Sequence, residues 1–122
     1  MPQQNCIFLL PLKNAPVFKI AVGANLDSYL TRSKLASGVD TKHVVAVCVQ
    51  NSDREAVLGL KYAMKVFLLP YSATGLVPDA IDHGRNDFFR SDAWERALDL
   101  LEQMKKYGWD LGAPKKLSKS KT

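Results

Sequence analysis

Three short apolar runs set the narrowest bound on what this chain can fold into: Cys6-Ile7-Phe8-Leu9-Leu10, Val17 to Val22, and Val44 to Val49. Each carries β-branched or aromatic residues and reads as a strand. The first ends at Pro11 and the second follows Lys13-Asn14-Ala15-Pro16, turn formers that predict a hairpin-like pair. The third, Val44-Val45-Ala46-Val47-Cys48-Val49, has no polar alternation, which predicts a strand covered on both faces.

The segments between and after these runs carry helical signals. Gly23 closes the second strand, and Asn25 or Asp27 can cap a short helix through about Leu35, with Leu26, Tyr29 and Leu30 inward and Arg32 and Lys34 on the polar face. Ser52-Asp53-Arg54-Glu55 fits a capping box, in which Ser52 takes the Glu55 N–H and the Glu55 carboxylate returns to the cap. Val57, Leu60, Met64 and Phe67, with Ala56, Ala63 and Leu68, then form one apolar stripe until Pro70, while Lys61 and Lys65 lie one turn apart on another face. Residues 70–86 hold Pro70, Ser72, Gly75, Pro78 and Gly84, an irregular stretch of the kind that carries sites. A second capping box, Asp92 to Glu95, opens a helix with Trp94, Ala97, Leu98, Leu101 and Met104 inward, and Gly108 is placed to end it. The pattern predicts an α+β domain, a small three-stranded sheet covered by helices on one side, in the order β-β-α-β-α-α.

At 122 residues and 47% hydrophobic content, the chain has room for one modest core. No stretch approaches the ~20 apolar residues that cross a bilayer, and the early run has no basic residues before it, so the expectation is a cytoplasmic protein with no membrane partner. Cys6 and Cys48 have no companion at ligand spacing and read as buried reduced thiols. The net charge of +5 is a property of the C-terminal end: residues 105–122 hold six lysines against Asp110, while residues 1–104 balance eleven basic with eleven acidic residues. From Gly112 the composition offers almost nothing to bury. The division expected is a domain over 1–111 and a disordered basic tail over 112–122, with Lys115 and Lys116 able to hold a polyanion loosely or merely to solubilise the terminus.

Two elements carry a family resemblance. Phe18-Lys19-Ile20-Ala21, followed by a short loop and helix, and Gly84-Arg85-Asn86-Asp87-Phe88-Phe89 together resemble the GIY-YIG nuclease superfamily, in its branch common in phages, plasmids and fungi. The resemblance spans about residues 6–104 and implies one-metal phosphodiester hydrolysis using tyrosine hydroxyls, an arginine and a metal-holding glutamate. Its signature groups are missing here. The first-strand tyrosine falls at Phe8, the second at Lys19 and the following glycine at Ala21, and the helix arginine falls at Ser28 or Tyr29. Glu55 or a neighbour on its helix is the candidate for the glutamate, and the capping-box role, which explains Glu55 without any metal, is the favoured reading.

The expectation is therefore a catalytically degenerate, GIY-YIG-like domain with no catalytic residues and no cofactor, acting as a DNA- or RNA-binding or accessory protein of a mobile element. Its nucleic-acid contacts would be Lys19, Tyr29, Arg32, Lys34, Arg85 and Arg90, with Lys115 and Lys116 of the tail. Two alternatives stay open. One is a protein-interaction module or inhibitor docking through the 70–86 loop, favoured by Asp79, Asp82 and Asp87, which oppose a phosphate backbone, and by the anchor-type residues Trp94 and Trp109. The other is an active endonuclease with relocated groups and a divalent metal at Glu55.

Overall fold

In the computed structural model, residues 5–33, 38–49, 53–77, 87–106 and 115–116 are described. β1 (Asn5–Pro11) and β2 (Val17–Gly23) form the expected antiparallel hairpin, with Cys6 opposite Gly23 and Pro11 opposite Phe18. Its turn is closed by the Leu12 N–H donating to the Val17 carbonyl at 3.1 Å. β3 (Val45–Val49) pairs with the other edge of β1, β4 (Phe88–Arg90) with β2, and β5 (Lys115–Lys116) with β3, all antiparallel. The order is β4-β2-β1-β3-β5, five strands where the sequence pattern predicts three. β4 and β5 are too short to display a period, and β5 needs no apolar side chain because it pairs through its backbone. Of the expected tail only those two residues are described; 112–114 and 117–122 lie outside the described residues.

Strand alternation divides the core into two layers, so the sheet is covered on both faces rather than one. Ile7, Leu9, Phe18, Ile20, Val22, Val45, Val47 and Val49 face α2 (Arg54–Phe67) and α3 (Trp94–Lys106). Cys6, Phe8, Leu10, Val17, Ala21 and Ala46 face the opposite way, against Leu30 of α1 (Leu26–Ser33), Val39, Ala73 and Val77. The uninterrupted apolar run of β3 thus has the two-sided burial it implies. Phe18 anchors the first layer, with the Trp94 ring edge-on at 5.2 Å and the Phe89 ring at 6.2 Å.

Local signals fix the helices with some changes. Asn25 caps α1, its Oδ1 accepting the Ser28 N–H at 3.0 Å; the expected end near Leu35 lies outside the described residues. Asp53, not Ser52, caps α2, accepting the Ala56 N–H at 2.8 Å. The inner stripe of α2 is Val57, Leu60 and Met64, continued by Leu68, while Phe67 is 64% exposed. At 100° per residue Leu68 falls closer to the centre of that stripe than Phe67 does. The second capping box is also replaced: a 3-10 turn at Ser91–Ala93 leads into α3, and Asp92 binds the Arg90 guanidinium at 3.2 and 3.1 Å.

Cys6 and Cys48 are register partners on β1 and β3 and are joined as a disulfide, with Cα atoms 4.0 Å apart. This corrects the reading as reduced thiols. In sequence each is an apolar strand residue, and only the pairing register places one sulfur against the other. Among the described residues, no helix is long and apolar enough to cross a membrane.

Candidate functional site

Lys19 sits in β2 between Phe18 and Ile20, turned toward the α1 side of the sheet by strand alternation, and is only 1% exposed. An ammonium so enclosed requires a counter-charge. Asp87 provides it. Lys19 is opposite Phe88 on the neighbouring strand, so the residue just before β4 is within reach: Nζ is 3.2 Å from Asp87 Oδ2 and 5.4 Å from the centre of the Phe88 ring. Lys61 and Lys65, one turn apart on α2, approach from the other layer, with Nζ 2.9 Å from Oδ2 and 2.8 Å from Oδ1. The site is therefore built where both layers meet at the β4 edge, and Asp87 ties β2, β4 and α2 together.

Among the described residues, three ammonium groups gather round the one carboxylate of Asp87 in a weakly hydrated place. Burial pulls the Asp87 carboxyl upward, but hydrogen bonds from Lys65 and Lys61 and the charge on Lys19 prevail and hold its pKa at about 2. The pKa of Lys19 is lowered as well, but there the shift favours the neutral form. Its burial lowers its pKa against the opposing pull of Asp87, and the neighbouring charges of Lys61 and Lys65 add to the lowering. Lys61 and Lys65 keep part of their side chains in water.

Tyr29 of α1 belongs to the same locality. Its ring is 6.4 Å from that of Phe8, and its pKa is pushed up to about 12 by burial and by the charge of Asp87, against Arg32. Arg32 is exposed on α1. The structure thus brings together Lys19, Tyr29 and Arg32 from the expected contact set. Arg90 stands apart, held by Asp92 and lying over the Tyr71 ring at 5.2 Å, where Arg96 also approaches at 5.6 Å. Lys115 and Lys116 are on β5, at the sheet edge opposite β4, about 19 Å away at ~4.8 Å per strand. Lys34 and Arg85 lie outside the described residues.

Sequence reasoning missed Lys61, Lys65 and Asp87 as members of one site. The spacing of the two lysines was visible, but their partner is 26 and 22 residues away and stands on another element. The sequence sets Asp87 against a phosphate backbone; in the structure its carboxylate is the shared partner of Lys19, Lys61 and Lys65. Glu55 is exposed in the first turn of α2, about 9 Å along the helix axis from Lys61. Among the described residues, no group of three or more His, Cys, Asp or Glu side chains could hold a metal ion. Compared with known proteins, the chain matches no family model, no curated protein and no solved structure.

Proposed function

We propose that this chain is a GIY-YIG-like domain that binds nucleic acid without cutting it, with Lys61 and Lys65 as its phosphate contacts. The observation that carries the reading is the convergence of three lysines on the single carboxylate of Asp87. Asp87 holds the Lys61 and Lys65 side chains in place, so less rotamer freedom is lost when a phosphate oxygen replaces it as their acceptor. Arg32, exposed on α1, adds a cation on the other layer, and Tyr29 offers an aromatic edge beside it. With the first 104 residues charge-balanced as a whole, the affinity is modest, salt-sensitive and indifferent to sequence.

The same groups suit binding better than hydrolysis. Phe8 has no hydroxyl, and Lys19 is enclosed and ion-paired rather than free to take a proton from water. A divalent cation at Asp87 would meet three ammonium groups. The test is anisotropy of labelled single- and double-stranded oligonucleotides with the full chain, a chain ending at Gly112, and Lys61→Ala/Lys65→Ala. Binding that survives the truncation and falls in the double variant supports the reading. Binding lost on truncation assigns it to the tail, and magnesium-dependent nicking abolished by Glu55→Ala assigns the chain to the nucleases.

A further inference from the structure

The outward side of α2 is apolar, and the fold does not cover it. Leu58, Tyr62 and Val66, followed past the helix by Leu69, are exposed to 38, 68, 53 and 66%. Arg54, Lys61 and Lys65 border this row along one margin at helical spacing: Leu58 is one turn from Arg54 and from Lys61, and Tyr62 is one turn from Lys65. On the reading that Lys61 and Lys65 hold phosphate, we infer that the row is the base-stacking surface of the same site. Its ligand is then a single strand of nucleic acid, with a base lying on the Tyr62 ring.

The two features call for a ligand that is anionic along one margin and apolar along the other. An unpaired strand has that chemistry, since its phosphates can follow the basic margin while its base faces turn to the apolar row. A duplex keeps its base faces stacked inside and offers phosphates and base edges, which polar side chains read and Leu58, Tyr62 and Val66 do not. Tyr62 stands mid-row, with Leu58 and Val66 one turn away on either side, so a base on its ring also meets aliphatic neighbours. Lys65, three residues on, is held by Asp87 at 2.8 Å, which places a phosphate partner beside the ring before the strand arrives. Glu55 is exposed in the first turn of α2 and would repel phosphate there, so the track runs from Leu58 toward Leu69. Phe67 is nearly as exposed as Tyr62, at 64%, but lies about 140° round the helix from it and away from both lysines.

Anisotropy of the full chain with a labelled oligodeoxynucleotide, alone and annealed to its complement, over a salt series decides the matter. The expected result is tighter binding of the single strand, weakened about five-fold or more by Tyr62→Ala at every salt concentration, with the slope of log affinity against log salt unchanged because no charge is lost. Tyr62→Phe, which keeps the ring, and Phe67→Ala, which removes a ring elsewhere, should both stay within about two-fold of the native protein. Tyr62→Trp enlarges the stacking face and should tighten single-strand binding, which gives a second reading where Tyr62→Ala folds poorly. Single-strand affinity indifferent to Tyr62→Ala and Tyr62→Trp but lowered by Lys61→Ala/Lys65→Ala overturns the inference and leaves the phosphate contacts standing; the row then belongs to another partner, such as a protein. Tighter binding of the duplex than of the single strand overturns it in the same way. Affinity that the double lysine variant leaves unchanged removes the phosphate contacts, and the stacking surface with them.

Discussion

Asp87→Asn preserves shape and removes the one negative charge that three lysines share. The Asp87 carboxyl drops from 3.8 when unperturbed to about 2 in the fold, a difference of about 1.8 units and so about 2.5 kcal/mol at ~1.4 kcal/mol per unit. Two of the three lysines touch solvent, which screens part of this and leaves about 2 kcal/mol. The enclosed Lys19 ammonium also loses the compensation that Asp87 gives it, so the total loss at pH 7 is about 2–4 kcal/mol. Because folding lowers the Asp87 pKa, its contribution is present above about pH 3.8 and is lost as pH falls through about 2. Urea unfolding followed by tryptophan fluorescence should show a gap between the native protein and the variant that closes over that window. Inorganic phosphate at matched ionic strength should restore part of the variant's stability where chloride does not. A variant within about 0.5 kcal/mol of the native protein at pH 7, or a gap that does not change with pH, refutes the argument.

At alkaline pH the Tyr29 hydroxyl becomes the governing group: folding raises its pKa from 10.0 to about 12, so stability falls as pH climbs through that interval, and Tyr29→Phe should flatten the fall. Lys19 contributes oppositely and earlier, its lowered pKa making stability rise with pH up to its ordinary 10.5; urea midpoints against pH separate the two. Asp53→Ala should cost about 0.5–2 kcal/mol through loss of the α2 cap, measured by thermal melting, whereas an unchanged melting temperature would remove Asp53 from that role. Reducing the Cys6–Cys48 bond, which closes a separation of 42 residues, should lower stability by about 2–4 kcal/mol. Identical urea curves with and without reductant would show that the two sulfurs are not joined.

What was legible in the sequence follows the range of the interactions involved. The β1–β2 hairpin was readable because Pro11 to Pro16 supply local turn chemistry, and the two-sided burial of β3 was readable from its unbroken apolar run. The cap of α2 was missed by one residue, since Ser52 and Asp53 are both good caps and only the backbone geometry chooses between them. β4 was hidden because three residues have no period. The site was legible only in part. Lys19 and Tyr29 were named from family-like positions, but a lysine inside a strand gives no hint that it will be enclosed. Its partner is 68 residues away, and the register of β2 against β4 is what brings it near. The same long-range register unites Cys6 with Cys48.

The central claim is that Lys61 and Lys65 hold phosphate while Asp87 keeps them in position, and the salt dependence of oligonucleotide affinity tests it most directly. Each phosphate contact contributes about 0.9 to the slope of log affinity against log salt on duplex DNA. Replacing both lysines by alanine should therefore make the slope shallower by about 1.8 and weaken binding uniformly across sequences. Equal slopes and equal affinities for the native protein and Lys61→Ala/Lys65→Ala would contradict the account, and would leave the lysine cluster with only its structural part, the tie between β2, β4 and α2.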